Sequence, residues 1–255
     1  MTLIDTHAHI YANEFLADRQ AMIGRAKEVG VSHILMPAID SDTHESMLQT
    51  EAAEPATCLS MMGLHPCSVK ENYRAELKSA EEWLAKRPFV AIGETGLDYY
   101  WDLQFKEQQV EAFNRQIEWA LHFDIPVVIH SRNATDECIA MVASHQKGKL
   151  KGVFHCFSGS AGQAKEIERL GLFLGIGGVL TYKNSGLDRA LADIPLTSLL
   201  LETDAPYLSP VPFRGKRNEC SYLIHSAKKL AELKGVSVEE IAAITTSNAQ
   251  KLFAL

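Results

Sequence analysis

The chain opens with the stretch Leu3-Ile4-Asp5-Thr6-His7-Ala8-His9, a short apolar run followed by two histidines two positions apart. Side chains alternate along a β-strand with a period of two, so His7 and His9 are expected on the same face of a strand. If that face is the inside of a barrel, both imidazoles can bind one metal ion. Taken alone, the pair is a weak signal, because two core histidines would give the same pattern.

The same arrangement returns along the chain at the ends of further predicted strands. Short apolar runs lie near residues 3–5, 33–37, 58–63, 89–93, 126–130, 152–156, 172–176 and 198–203. Seven residues with metal-binding side chains stand where these runs end: His7, His9, His65, Glu94, His130, His155 and Asp204. Because such residues recur at the ends of the runs, the sequence indicates metal binding much more strongly than the first pair of histidines does alone.

Segments with helical spacing separate the apolar runs. The clearest is Gln104 to His122, in which apolar residues recur every three or four positions. Eight strand-then-helix units without a linker predict an α/β fold, a single (β/α)₈ TIM barrel that spans residues 1–255 as one domain. An open doubly wound sheet is the alternative, but the glycine-rich loop typical of it does not follow the first strand. In a barrel the active site lies at the C-terminal ends of the strands, where the seven residues stand.

Composition and charge limit the possible ligands. The net charge is −7, which argues against broad electrostatic attraction to nucleic acid or to an anionic membrane. The five cysteines form no C-x-x-C pair, so neither a disulfide framework nor a structural zinc cluster is indicated, and a cytoplasmic location is expected. We find no signal-peptide pattern, no apolar run long enough to span a membrane, and no sign of an obligate protein partner.

Imidazole and carboxylate groups suit divalent cations such as Zn²⁺, Mn²⁺ and Mg²⁺. Two such ions about 3.5–4 Å apart can hold the attacking and leaving oxygens of a hydrolytic displacement. The sequence therefore predicts a site for two divalent metal ions (Mg, Mn or Zn) with these ligands: His7, His9, Glu94, His130, His155 and Asp204. Glu94 is expected to bridge the ions, and Asp204 is expected to accept a proton as well.

Each of these histidines has an ordinary alternative as a hydrogen-bonded residue of the core or surface. For the set together that alternative is costly, because buried unpaired histidines and acids need a compensating ion. Two further acids, Asp5 and Glu202, share strand faces with His7 and Asp204. They are predicted to orient a ligand histidine through its free ring nitrogen, the alternative being buried acids satisfied by backbone or water.

Seven motifs along the whole chain resemble the TatD family of metal-dependent deoxyribonucleases, which are TIM barrels of the amidohydrolase superfamily. They are Ile4-Asp5-Thr6-His7-Ala8-His9, Gly63-Leu64-His65-Pro66, Ile92-Gly93-Glu94-Thr95-Gly96-Leu97-Asp98-Tyr99, Ile129-His130-Ser131-Arg132, His155-Cys156-Phe157-Ser158-Gly159, Leu201-Glu202-Thr203-Asp204-Ala205-Pro206-Tyr207 and Arg214-Gly215-Lys216-Arg217-Asn218-Glu219. The chain departs from the family at Cys220, where proline is common.

The resemblance implies a binuclear hydrolase. In the family, residues matching His7, His9, Glu94 and Asp204 hold one ion, and residues matching Glu94, His130 and His155 hold the other. Many related superfamily members bridge their ions with a carboxylated lysine after the fourth strand. This chain has Glu94 there, which favours the TatD branch.

The resemblance also implies a DNA or oligonucleotide substrate, which local positive charge must hold on an acidic protein. The residues expected to bind it are His65, Arg132, Tyr182, Lys183 and Arg214. The aromatic residues Tyr99, Tyr100 and Trp101 follow the fourth strand and can stack on exposed bases. The alternative is that these basic and aromatic residues only form solvated loops and bind no substrate. Because these residues are few, they can contact only a short stretch of nucleic acid. The sequence therefore predicts cleavage of phosphodiester bonds at or near DNA ends.

Two other functions fit the same metal site. One is hydrolysis of a small amide, lactone or cyclic compound, which predicts an apolar pocket and no need for rim arginines. The other is metal binding without catalysis, which the presence of Asp204 argues against.

Overall fold

The computed structural model describes residues 1–255. Its strands are β1 (Leu3–Asp5), β2 (Val31–Met36), β3 (Cys58–Ser60), β4 (Ile92–Asp98), β5 (Val127–Arg132), β6 (Gly152–Phe154), β7 (Phe173–Ile176) and β8 (Leu199–Leu201). Its helices are α1 (Arg19–Glu28), α2 (Ser41–Ala53), α3 (Tyr73–Lys86), α4 (Lys106–Phe123), α5 (Thr135–His145), α6 (Ala161–Arg169), α7 (Leu187–Leu191), α8 (Leu223–Lys234) and α9 (Val238–Phe253). Each strand is followed by a helix, and β8 by two. None of the helices combines the length and apolar character that crossing a membrane requires.

The strands close into a ring. Neighbours pair in parallel within two groups, β1 to β3 and β4 to β8. Two parallel bridges join the groups, one between Ala8 and Ala205, which lie beyond β1 and β8, and one between Met62, beyond β3, and Ile92, the first residue of β4. The predicted (β/α)₈ barrel is therefore confirmed.

The inside of the barrel is filled at the end opposite the polar cluster. One apolar cluster collects inward-facing strand residues and the last turns of α9: Ile4, Leu35, Met61, Ala91, Val128, Val153, Leu200, Ala249, Leu252 and Phe253. Asn248 of α9 donates to the carbonyl oxygens of Leu196 and Leu199, both at 2.8 Å. A second cluster of 60 buried residues packs the helices against the strands. With one end filled, the other end is left for polar residues.

Two strand boundaries differ from the prediction. β1 ends at Asp5, so His7 and His9 lie beyond the strand, although the bridge at Ala8 keeps the backbone beside β8. β4 begins at Ile92 and runs to Asp98 with a register shift between Ile92 and Thr95, so Glu94 lies inside the strand in a bulge. The apolar run near residues 89–93 marked only the beginning of this strand, because the second half of the strand is largely polar in sequence yet fully buried.

Two buried glutamines of α4 hold the ends of neighbouring strands. The side-chain oxygen of Gln109 accepts from the Asp98 amide (2.9 Å), and its nitrogen donates to the Asp98 carbonyl (3.2 Å). Gln116, two turns along the helix, makes the same pair of bonds with Leu64, at 2.8 and 3.1 Å. One helix thus fixes the backbone that carries Asp98 and the backbone that carries His65.

Candidate metal centre

One carboxylate, that of Glu94, lies at the centre of the polar cluster. Its Oε2 atom is 3.1 Å from His7 Nε2 and 3.4 Å from His9 Nε2. The two imidazole nitrogens are 3.3 Å from each other. These three residues are buried, and they form one compact set of possible metal ligands.

The other oxygen of Glu94 contacts different histidines. Its Oε1 atom is 2.9 Å from His130 Nδ1 and 3.4 Å from both His155 Nε2 and His65 Nε2. A single buried acid therefore separates two groups of imidazoles, one at each oxygen. This is the arrangement that a carboxylate bridging two cations requires.

Asp204 lies next to the imidazoles of His7 and His9, which form the group at Glu94 Oε2. Its Oδ1 atom is 3.8 Å from the Nε2 atoms of His7 and His9 and 4.0 Å from His155 Nε2. Its side chain is 13% exposed, against 2% for Glu94. The backbone at Asp204 has a φ of 58°, a left-handed conformation that aspartate tolerates better than most residues, and its amide donates to the carbonyl of His7 (2.9 Å). Of the two acids, Asp204 is thus the more accessible from the open end of the barrel at the C-terminal ends of the strands, which we call the mouth.

Each imidazole has one ring nitrogen that faces Glu94 and one, the far nitrogen, that faces away from it. The hydrogen bond formed by the far nitrogen determines whether the near nitrogen presents a lone pair to the centre. Tyr11 donates its hydroxyl to Pro37 O (2.7 Å), so its oxygen accepts from His9 Nδ1 (2.9 Å). The Nε2 of a neutral His9 is then free of a proton. In the same way Asp98 Oδ2 holds His130 Nε2 at 2.8 Å, which leaves Nδ1 as the free atom. A metal ligand needs this lone pair.

His155 and His65 differ in this respect. Glu202 Oε1 lies 3.0 Å from His155 Nδ1 and stabilises a proton there, so Nε2 can be a ligand. The Nδ1 of His65 instead accepts from the Cys67 amide (3.0 Å). The proton of a neutral His65 therefore sits on Nε2 and points at Glu94. His65 is placed inside the cluster as a hydrogen-bond donor, deeper than the rim position expected for it.

The electrostatics of the cluster favour positive charge. Burial opposes ionisation of Glu94, but the imidazoles of His65 and His155 hold its pKa well below the ordinary value. Burial also opposes a charge on His155, yet the carboxylates of Glu202 and Glu94 raise its pKa to about 10. Burial raises the pKa of Asp204 to about 6. A cation placed here would meet an ionised acid and would compete with protons for the imidazoles.

The spacing of the donor atoms fits divalent cations. Two ligands of one tetrahedral zinc ion lie roughly 3.3–3.4 Å apart, since each is 2.0–2.1 Å from the metal. Adjacent ligands of an octahedral magnesium ion lie about 2.9 Å apart. The distances around the two oxygens of Glu94 run from 2.9 to 3.4 Å. The residues present therefore suit a divalent metal in both their chemistry and their spacing.

Asp5 corrects one prediction. Its carboxylate accepts from the amide of Thr203 (2.9 Å) and from the Thr203 hydroxyl (2.6 Å), and it contacts His7 only through the backbone amide (3.4 Å). Asp5 therefore braces the chain after β8 and does not orient an imidazole ring. The reason is that β1 ends at Asp5, so the alternation that would have aligned it with His7 does not continue.

The predicted substrate-binding residues of the rim lie around the open end of the barrel. Arg132, Lys183 and Arg214 are exposed, and none of them forms an ion pair within the chain. Tyr182 donates its hydroxyl to Ser209 O (2.9 Å), and the Arg214 guanidinium lies 4.5 Å from its ring centroid. Arg217, by contrast, is held by Asp18 at 2.7 and 2.8 Å.

Two residues that contact candidate ligands, Asp98 and Tyr11, were not predicted from the sequence. Asp98 belongs to β4, four positions after Glu94, and the period of two along a strand was a usable signal for it. Tyr11 lies two positions after His9, but no pattern distinguished it from an ordinary core tyrosine. Both hold the far nitrogen of a histidine.

Comparison with known proteins agrees with this geometry. The family model TatD related DNase matches residues 4–254. A metal-dependent hydrolase of Bacillus subtilis (strain 168), YabD, is 39% identical over 98% of this chain and 98% of its own length. The 3'-5' ssDNA/RNA exonuclease TatD of Pantoea vagans (strain C9-1) is 34% identical over 99% of this chain and all (100%) of its own. The crystal structure of YJJV, a TatD homologue from Escherichia coli K12, superposes with a TM-score of 0.93 at 33% identity, covering 99% and 98% of the two chains. This chain belongs to the TatD family and is a metal-dependent hydrolase.

Proposed function

We propose that the chain is a nuclease that hydrolyses phosphodiester bonds at or near the ends of DNA, with two divalent cations and residues 1–255 acting as one domain. The observation that carries this proposal is the division of Glu94 between two groups of imidazoles, at Oε2 and at Oε1. A related protein of Pantoea vagans is a 3'-5' ssDNA/RNA exonuclease by name, which supports a nucleic-acid substrate. Five free cysteines support a cytoplasmic setting.

In this proposal His7, His9, Glu94 and Asp204 would hold one ion, and Glu94, His130 and His155 would hold the other. Mg, Mn or Zn suit these ligands. When bound, the ions would polarise the phosphodiester and lower the pKa of the attacking water. Asp204, on the mouth side of the cluster, orients that water and takes its proton.

The rim supplies the remaining contacts. Arg132 and Arg214 are free to donate to phosphate oxygens, and Lys183 and Tyr182 lie on the same edge of the mouth. His65 donates through Nε2 toward the centre. Because these groups are few and the chain carries a net charge of −7, they suit a strand end and not a long duplex.

The direct test uses metal-stripped protein to which Mg²⁺, Mn²⁺ or Zn²⁺ is returned separately. We expect metal-dependent release of nucleotides from end-labelled single-stranded DNA. Turnover of a small amide or lactone without nuclease activity would favour the alternative hydrolase. Metal binding with neither activity would indicate a non-catalytic protein.

Asp98→Asn is expected to weaken metal binding at the His130 side. The new amide nitrogen would donate to His130 Nε2, which then must accept, so the proton moves to Nδ1 and removes the lone pair that faces Glu94. Substitutions of this kind typically cost about 10–100-fold in metal affinity. Titration of metal-stripped protein with Mn²⁺ or Zn²⁺ measures the effect, with the exposed Asp42→Asn as control. Equal affinity in both variants would contradict this role.

Arg132→Ala is expected to raise the KM for oligonucleotides with little effect on folding. A hydrogen bond from a guanidinium to a charged phosphate is worth roughly 1.5–3 kcal/mol, which corresponds to about tenfold or more in KM. Steady-state kinetics would be compared with those of Arg189→Ala, an exposed arginine of α7. An unchanged KM for DNA would remove Arg132 from the substrate site.

A further inference from the structure

Three side chains at the mouth, those of Tyr100, Trp101 and Arg132, form one exposed surface beside the candidate metal centre. Tyr100 and Trp101 are 54% and 68% exposed, unusually high for large aromatic residues. Their rings meet edge to face, with centroids 4.8 Å apart. The Arg132 guanidinium lies 3.8 Å from the centroid of Tyr100 and 5.2 Å from that of Trp101. We call these three residues the aromatic platform.

The aromatic platform is attached directly to the candidate metal centre. Asp98 Oδ1 accepts from the amides of Tyr100 (2.9 Å) and Trp101 (3.2 Å), while its Oδ2 holds His130. Arg132 pairs with Asp98 across β4 and β5, two positions after His130. One buried carboxylate thus fixes both a candidate ligand and the loop with the exposed rings.

The neighbouring residues show that this exposure is particular to the platform. Tyr99, one position earlier, donates its hydroxyl to Glu137 (2.9 Å), and Lys106 lies 4.2 Å from its ring centroid. Tyr99 therefore already has partners within the protein. No ion pair neutralises Arg132, and the indole N–H of Trp101 forms no hydrogen bond within the chain. The platform combines flat apolar faces with an unbalanced positive charge.

We propose that the aromatic platform stacks on an unpaired nucleobase of the strand whose phosphodiester is cleaved, while Arg132 holds a phosphate of the same strand. The inference rests on the proposed nuclease function and names the residues that recognise the base. Aromatic rings and guanidinium planes both stack on unstacked bases, without preference for one base over another. A base inside a duplex has both faces covered by its stacked neighbours, so the platform selects single strands and frayed ends.

The test compares the parent enzyme with Trp101→Ala on a set of end-labelled single-stranded oligonucleotides. Each oligonucleotide carries one abasic residue, at successive positions from the cleaved end. We expect Trp101→Ala to raise the KM for intact DNA about ten- to a hundredfold. At one position the abasic residue should raise the KM of the parent similarly, yet add little to the defect of Trp101→Ala, since both remove the same contact.

Leu103→Ala is the matched control. Leu103 lies in the same loop and is 63% exposed, but it has no π face. This variant should keep the parent KM and the parent response to abasic residues. Metal content should be equal in all three proteins, because the exposed Trp101 side chain contacts no candidate ligand.

Equilibrium binding of the same oligonucleotides distinguishes a wrong assignment of the platform from a wrong assignment of the nuclease function. If the parent cleaves DNA but neither Trp101→Ala nor any abasic position changes KM or binding, the platform does not bind a base and the nuclease function stands. If the parent cleaves no nucleic acid, the proposed function is wrong. The binding measurements then decide on the platform alone: equal affinity of parent and Trp101→Ala would overturn it.

Discussion

Glu94→Gln is expected to lower turnover by several orders of magnitude and to leave the protein with at most one bound cation. The substitution keeps the volume of the side chain but removes the negative charge between two groups of imidazoles. Two divalent cations a few ångströms apart repel each other strongly in a buried site, and an anion between them offsets that repulsion. A glutamine amide also presents N–H groups in place of one ligand oxygen.

Elemental analysis of metal content, together with kcat on single-stranded DNA, measures this effect. The exposed Glu239→Gln at the start of α9 is the matched control and should keep both properties. Two ions per chain in Glu94→Gln would rule out the bridging role. Loss of an ion with unchanged turnover would show instead that one cation suffices for catalysis.

The second large effect is expected for Asp204→Asn. Asparagine keeps an oxygen that can bind a cation, but it cannot take a proton from water. Removal of a general base typically costs about 10²- to 10⁴-fold in rate, so kcat should fall by that amount while the affinity for DNA changes little. Asp204 has the geometry for this role, since its Oδ1 is 3.8 Å from two candidate ligands and its side chain is partly exposed.

Single-turnover cleavage and a binding assay, with metal content measured in parallel, separate the base from the ligand role. Asp188→Asn, on the surface of α7, serves as the control. Cleavage at the parent rate with both metals bound would mean that Asp204 is not the base. A loss of metal in step with the loss of rate would point to ligation as its main contribution.

The barrel could be predicted because each of its eight units carries its own signal. Apolar runs of strand length alternate with helical spacing, as in α4, and parallel strands bring their C-terminal ends together whatever the loops contain. The grouping of His7, Glu94, His130 and Asp204 follows from that rule alone. Their positions at strand ends required no knowledge of individual contacts.

The roles of individual side chains depend on contacts that sequence spacing does not show. The role of Asp5 depended on where β1 ends, and hydrogen bonding with Thr203 decided it. The difference between His65 and His130 depends on which ring nitrogen already has a partner, and that partner is a backbone amide in one case and Asp98 in the other. Sequence spacing carries no information on such tautomers.

The two glutamines of α4 bear on how this mouth can evolve. Gln109 and Gln116 bond to main-chain atoms of Asp98 and Leu64, so the anchoring they provide does not depend on the side chains of the loops that follow. Mutations can therefore replace the loop residues beyond these anchors without moving the backbone beneath them. Substitutions in the loops can therefore change which molecule is recognised while the residues of the candidate metal centre stay in place. One ancestral hydrolase can in this way give rise to descendants that recognise different molecules.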